Sequence, residues 1–288
     1  MSQIKDKFID WRDVFRIDRV LKSRGFEVTN VGTLSSTLLS HENWSNSEKQ
    51  LLFDVMNSDK LRSQLLFFIE GKAGFEIDPL VEQLIKNANF RKDRQRFSTS
   101  FEWYLGELFV KHFGAFSGAF GVEVSNIFRN STGTKAGDFD VLAVLADLSL
   151  LYIEAKTEEF QRKKVEKALE RSMALHTSAV VMLTSEQFDP IKFKPALKDL
   201  EHPIWGKTQS FDKIKIKGEP DSEIFLWCNQ IYFVSANERH GKLEPKLRMV
   251  LRDIGFKRSI HGFSSEIAKD YSAAGYEYEE ILFEAPKP

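Results

Sequence analysis

Hydrophobic and polar residues follow a helical period through the first part of the chain. Apolar residues recur three or four positions apart in four segments, and the first of these stops at Gly25. The segments are 8–26, 45–56, 60–71 and 78–88. This spacing predicts an α-helical N-terminal region over residues 1–90, whose role the sequence leaves open.

From residue 97 the pattern changes to alternating helices and strands. An amphipathic helix that ends at Gly114 precedes three strand-like runs, a charged helix and a fourth apolar strand. The runs are GVEVSNIF, FDVLAVL and LLYIEAK, followed by the helix EEFQRKKVEKALERSMALH and the strand AVVMLTS. This order predicts an α/β fold in which a mixed sheet is flanked by helices, with a parallel strand after the crossover helix.

The last third of the chain is harder to interpret. Residues 186–225 are polar and contain four prolines, which indicates an insertion or a long loop region. IYFVSA predicts a further strand, LEPKLRMVLRDIGF predicts a helix, and the acidic tail EYEEILFEAPKP is expected to be peripheral. We therefore predict a second domain over residues 91–288, with its core at 97–185 and additions at 186–288.

Composition limits the function classes. The 288 residues contain 41 Lys plus Arg and 42 Asp plus Glu, so an attraction to nucleic acid must be local. Cys228 is the one cysteine, which excludes an intrachain disulfide and a cysteine zinc site and fits a reducing compartment. The N-terminus lacks a signal-peptide core, and the sequence has no run of about 20 apolar residues. The expected location is cytoplasmic, without membrane contact.

Carboxylates occur on both arms of the hairpin GDFDVLAVLADLSLLYIEAKT. Strand alternation puts Asp138 and Asp140 on one face of the first arm, and Glu154 and Lys156 on one face of the second. An odd-numbered loop such as 145–149 would set Asp140 opposite Glu154, whereas an even-numbered loop would separate the acids. We predict the odd register or a bulge.

In that register the hairpin end presents oxygen ligands. The carboxylates of Asp140 and Glu154, with the backbone carbonyl of Ala155, suit Mg²⁺, which prefers oxygen donors and retains several waters. Lys156 would lie beside the ion, where it can orient a water or offset charge on a phosphorus centre. The hairpin therefore predicts a metal site for phosphoryl chemistry.

The hairpin, taken with the preceding helix FEWYLGELF, resembles the core motif of the PD-(D/E)XK nuclease superfamily. The resemblance covers about residues 97–185. It implies a restriction-endonuclease-like fold and a Mg²⁺- or Mn²⁺-dependent endonuclease, with DNA favoured over RNA as substrate, in restriction, defence, repair or mobile-element biology. Gly137 stands where the family often has proline. The residues that the resemblance implies are Asp140, Glu154 and Glu102 as metal ligands, Lys156 as the catalytic lysine, and Asp138 and Gln161 in support.

Each of these residues also has an ordinary structural interpretation. Glu102 fits a capping box that begins at Thr99, and Glu107 is a second, more surface-like candidate on the same helix. Asp138 fits a turn. Glu154 and Lys156 fit a solvated ion pair on a strand face.

Two basic clusters are expected to contact the phosphates of a nucleic acid. They contain Arg91, Lys92, Arg94 and Arg96 before the Glu102 helix, and Arg162, Lys163, Lys164, Lys167 and Arg171 after the hairpin. Either cluster also fits a solvated helix face.

A homodimer is the expected assembly if the enzyme cuts both strands, because such enzymes often pair two sites. The alternative function is a non-catalytic module with a nuclease-like fold that binds nucleic acid or a partner.

Overall fold

The computed structural model describes most of the chain. The described residues are 15–125, 137–156, 160–185, 188–197, 200, 211–216, 219–237, 242–260 and 276–280. They belong to two compact units, which we call unit 1 (Met1–Asn57 with Gln64–Leu151) and unit 2 (Ser58–Ser63 with Tyr152–Pro288).

The described strands form a mixed sheet, which confirms the predicted α/β class. Nine strands are hydrogen-bonded in the order β1-β2-β3-β4-β5-β8-β7-β6-β9. They are β1 (Glu27–Asn30), β2 (Ser117–Ser125), β3 (Gly137–Val144), β4 (Leu150–Lys156), β5 (Ala179–Thr184), β6 (Phe211–Ile216), β7 (Glu219–Trp227), β8 (Ile231–Ser235) and β9 (Tyr276–Glu280). The β1–β2 and β2–β3 pairs are antiparallel, while β5 is parallel to β8.

Unit 1 is built around one long helix. Its helices are α1 (Ile17–Ser23), α2 (Asn46–Asn57), α3 (Asp59–Ile69, which begins in unit 2), α4 (Pro79–Ile85) and α5 (Arg94–Phe113). α5 begins after Asp93, whose side chain accepts from the Arg96 amide at 2.8 Å, and ends at Gly114 with a φ of 67°. A Cβ on Gly118 would lie 2.6 Å from the Gly106 carbonyl oxygen, so α5 and β2 pack backbone against backbone.

The predicted N-terminal region packs on α5. Ser100 Oγ accepts from the Leu38 amide at 2.9 Å, and the Trp44 and Trp103 rings meet edge to face at 5.2 Å. β1 adds a strand that the helical interpretation of residues 1–90 missed. The residues on both sides of position 90 belong to unit 1, and the predicted domain boundary at this position stays a prediction. The first part of the predicted helical segment 8–26, residues 8–14, lies outside the described residues.

Unit 2 continues from β4 through α6 (Arg162–Leu175), α7 (Pro190–Leu197) and α8 (Leu243–Ile260). Residues 186–225, predicted as an insertion or loop, contain α7, β6 and the start of β7. Within them Ile214 pairs with Ile224, and the backbone register pairs Lys213 with Glu279 and Lys215 with Glu277 of β9. The lysine-rich and acidic segments are therefore partner strands.

The core of unit 2 is rich in phenylalanine. The Phe188 and Phe233 rings stack at 5.2 Å, and Phe160 and Phe193 meet Phe233 at 5.5 and 5.3 Å. This packing accounts for much of the phenylalanine content of the second half of the chain. Within the described ranges, no helix has both the length and the apolar character needed to cross a membrane.

Candidate functional site

Strand β4 presents three polar side chains on one face. Tyr152, Glu154 and Lys156 alternate with buried apolar residues, so they point the same way. Glu154 is only 3% exposed, and Lys156 at the strand end has a side chain that is 24% exposed. Lys156 Nζ lies 2.8 Å from Glu154 Oε1. The interpretation of this pair as a solvated strand face is wrong, because Glu154 is buried.

The other carboxylate oxygen of Glu154 is held from the interior. The Tyr152 hydroxyl donates to Glu154 Oε2, and Arg171 NH1 of α6 lies 3.5 Å from the same oxygen. Arg171 NH1 also donates to the Tyr152 hydroxyl at 3.2 Å. Together with Lys156 at Oε1, Tyr152 and Arg171 make three donors around the buried Glu154 carboxylate. These contacts offset the cost of removing its charge from water.

Arg171 has a different role from the one that the sequence indicated. We placed it in the basic cluster after the hairpin, but it is 5% exposed and contacts Glu154. The helical spacing could have indicated that Arg171 is buried, since it follows the buried Ala168 by three residues and precedes the buried Leu175 by four. Tyr152 was also missed, although alternation along β4 puts it on the face of Glu154.

The aspartates of β3 differ in exposure. Asp138 is exposed and lies across from Glu123 of β2, whereas Asp140 is 8% exposed. Asp138 lies in the strand itself, because β3 begins at Gly137. Asp140 is therefore the buried acid of the two, as expected for a residue inside the apolar run.

The hairpin turn that follows β3 has the predicted odd length. Residues 145–149 connect β3 to β4. The Leu145 amide donates to the Ser149 carbonyl at 2.8 Å, and the Leu148 amide donates to the Leu145 carbonyl at 2.9 Å. Because Leu145 pairs with Ser149, the loop itself is the three residues 146–148. Leu148 has a φ of 65°, the left-handed conformation that commonly ends a three-residue hairpin loop.

Glu102 lies in the interior of α5 and is half-buried. The capping-box interpretation is wrong, since α5 begins at Arg94 and Thr99 Oγ1 donates to the Gln95 carbonyl at 3.1 Å inside the helix. Glu107 forms an exposed pair with Lys111 at 3.6 Å, as expected for a surface residue.

The basic residues divide into bound and exposed sets. Arg96 donates to the carbonyls of Ser35 and Thr37 at 2.7 and 3.0 Å, so its guanidinium stabilises the fold of unit 1. Arg162 pairs with Glu166 at 2.8 Å along α6. The exposed members are Arg91, Lys92, Arg94, Lys163, Lys164 and Lys167. Gln161 is an exposed N-cap of α6 without a side-chain capping bond.

The donor set at Glu154 is compatible with a hard cation. In the described part of the chain, no group of three or more His, Cys, Asp or Glu side chains converges. Glu154 Oε1 receives Lys156, and a carboxylate oxygen has a second lone pair for another partner. Mg²⁺ commonly takes one or two protein carboxylates and retains several waters, so the second lone pair of this oxygen suits such an ion.

Comparison with known proteins gives no relative: no protein-family model matches the chain, and no curated protein matches it.

Proposed function

We propose that this protein is a metal-dependent nuclease that hydrolyses phosphodiester bonds, and that it is a DNA endonuclease. The observation that supports the proposal is the Glu154–Lys156 pair. A glutamate that is 3% exposed is fixed from the interior by Tyr152 and Arg171, and a partly exposed lysine lies 2.8 Å from its other oxygen. This pair occupies the E-x-K positions of the motif that the sequence resembles.

Asp140, Glu154 and the Ala155 carbonyl would hold the Mg²⁺ or Mn²⁺, with Glu102 bound directly or through water and Asp138 in support. The Leu145 amide donates to the Ser149 carbonyl, so these two residues lie opposite each other. If the antiparallel pairing continues from them without a bulge, Asp140 lies opposite Glu154. The proposal requires this register. When bound, the metal would supply a Lewis acid and a water of lowered pKa.

The protein's own groups would perform three tasks. Tyr152 and Arg171 keep Glu154 from rotating, because both bind Oε2. Lys156 carries a positive charge at the strand end, where it can stabilise negative charge on a phosphate. The exposed basic residues of both clusters would contact the phosphate backbone and fix its position; they are Arg91, Lys92, Arg94, Lys163, Lys164 and Lys167.

A binding module without catalysis is the second candidate, and one observation favours it. Both oxygens of Glu154 already accept from protein donors, so the carboxylate is satisfied without a metal. Such a module would keep Glu154 as part of its core and bind nucleic acid or a partner elsewhere.

The test is cleavage of plasmid DNA, linear DNA and single-stranded RNA with Mg²⁺ or Mn²⁺. Asp140→Ala and Lys156→Ala are compared with Lys86→Ala, which removes a lysine whose side chain is 70% exposed and which lies outside the pair and outside both basic clusters. The nuclease predicts cutting that is lost in the first two variants and kept in the third. If the wild type does not cut and metal binding is unchanged in Asp140→Ala, the binding module replaces the proposal.

A further inference from the structure

Among the described residues of unit 1, one phenylalanine is exposed and lies close to cations. Phe67, near the end of α3, is 37% exposed, and the Phe75 ring meets it edge to face at 5.7 Å. Lys72 Nζ lies 4.6 Å from the centre of the Phe67 ring. We call Phe67, Phe75, Lys72, Lys92 and Arg94 the Phe67 surface.

The end of α3 determines this arrangement. Gly71 has a φ of 73°, and its amide donates to the Phe68 carbonyl while the Lys72 amide donates to the Phe67 carbonyl at 3.0 Å. This is a Schellman ending, in which the residue at the Lys72 position often makes an apolar contact with the residue at the Phe67 position. Here an ammonium group takes that place, so the ring stays exposed with a cation over its face.

The loop that carries Phe75 is fastened to α3. Gln64 Nε2 donates to the Glu76 carbonyl at 3.0 Å, and Gln64 Oε1 accepts from the Asp78 amide at 3.1 Å. The Phe67 and Phe75 rings therefore keep their relative position. A ligand can bind them without the entropic cost of ordering the loop.

Positive charge surrounds the rings. Lys92 Nζ lies 4.7 Å from the centre of the neighbouring Phe68 ring. Glu70 pairs with Lys72 at 2.8 Å and more loosely with Arg94 at 3.9 Å, so two cations of this surface share one carboxylate and Lys92 adds a third cation. Three cations beside an exposed ring match a ligand that alternates flat bases with phosphates.

We propose that the Phe67 surface binds single-stranded DNA, with a base stacked on Phe67 and phosphates at Lys72, Lys92 and Arg94. Duplex DNA cannot use the ring, since its bases are already stacked on each other. The flexible Lys72 side chain can leave the ring face for a phosphate when a base arrives. The choice of DNA over RNA rests on the proposed nuclease function; the stacking surface does not depend on it.

The test is fluorescence anisotropy of the full chain with labelled oligothymidine, duplex DNA and single-stranded RNA. Phe67→Ala should weaken binding of the single DNA strand by about 5- to 150-fold, the range for one base–aromatic stack, and Phe67→Trp should retain it. Leu148→Ala is the matched control, because Leu148 is also an exposed apolar residue of unit 1, at 48%, and lies outside this surface. Lys92→Ala should reduce the salt dependence of the binding constant by about 0.7 in logarithmic slope.

The proposal is overturned if Phe67→Ala behaves like Leu148→Ala, if duplex binding falls equally, or if the wild type does not bind single strands. Tighter binding to RNA would overturn the assignment to DNA. These outcomes are separate from the nuclease test: single-strand binding without cutting leaves this surface standing, and cutting that Phe67→Ala does not alter leaves the nuclease standing.

Discussion

Replacing Arg171 by leucine should destabilise the protein more than any exposed arginine replacement on the same helix. Arg171 is 5% exposed and contacts both Glu154 Oε2 and the Tyr152 hydroxyl. Removing one partner of a buried ion pair costs about 3–5 kcal/mol of unfolding free energy, because the remaining charge stays buried. Lys156 still lies 2.8 Å from the other oxygen, so we expect the lower end, about 3 kcal/mol.

Arg162→Leu provides the matched control. Arg162 lies on the same helix and pairs with Glu166 at 2.8 Å, but its side chain is 41% exposed. An exposed pair of this kind contributes about 0.5 kcal/mol or less. Urea unfolding, with the midpoints converted through a common m value, measures both variants.

A second variant tests the physical reason. Glu154→Leu combined with Arg171→Leu removes both charges, so the double variant should be more stable than Arg171→Leu alone. If Arg171→Leu costs no more than Arg162→Leu, or if the double variant shows no recovery, then Arg171 does not compensate the buried charge of Glu154 and the reasoning fails.

Three further predictions concern the fold. Hydrogen bonds, above all from a backbone amide at the start of α2, hold the pKa of Glu48 at about 2, below its usual 4.5. Its contribution, about 1 kcal/mol once solvent screening of this accessible carboxylate is allowed for, is present above pH 4.5 and lost as the pH falls toward 2. Glu48→Gln should therefore be less stable than wild type near neutral pH, and a difference that persists unchanged in acid would contradict this. Burial raises the pKa of Cys228 to about 12, so a thiol reagent should label it only after urea unfolding, and rapid labelling of the native protein would refute this. A Cβ at Gly118 would lie 2.6 Å from a carbonyl oxygen of α5, so Gly118→Ala should cost about 1–3 kcal/mol, while Gly255→Ala, in open helical space, should stabilise the protein by about 0.5–1 kcal/mol in the same urea assay.

The sequence predicted those helices and strands whose own residues show the hydrophobic pattern of the element. The apolar run LLYIEAK gave β4 at Leu150–Lys156, since a buried strand shows itself by its own residues. β6 and β9 were missed, because neither a lysine-rich nor an acidic segment indicates a strand until the two are paired. β1 was missed for a related reason, since its four residues are mostly exposed and its stability comes from pairing with β2.

The candidate site shows the same division. Alternation along β3 and β4 correctly grouped Glu154 with Lys156 and predicted the odd-numbered connection 145–149. The partner of Glu154 in the interior was not predicted, because Arg171 is seventeen positions further along the chain, among exposed basic residues that conceal it. Contacts between a strand and the helix that follows it depend on tertiary packing, which a one-dimensional pattern does not record.

The two cations at Glu154 differ in exposure, since Arg171 is buried and Lys156 is partly exposed. This difference allows a test of whether Lys156 serves the fold or a ligand. A buried ion pair adds little net stability over apolar residues of the same size, so stability alone does not account for two cations at one carboxylate. Arg171 and Tyr152 already satisfy Oε2 from the interior, whereas Lys156 contacts Oε1 from a side chain that is 24% exposed. If Lys156 serves the fold, Lys156→Met should unfold the protein as readily as Arg171→Leu does. If it serves a ligand at the strand end, Lys156→Met should change the unfolding free energy by only about 1 kcal/mol while metal-dependent cutting is lost.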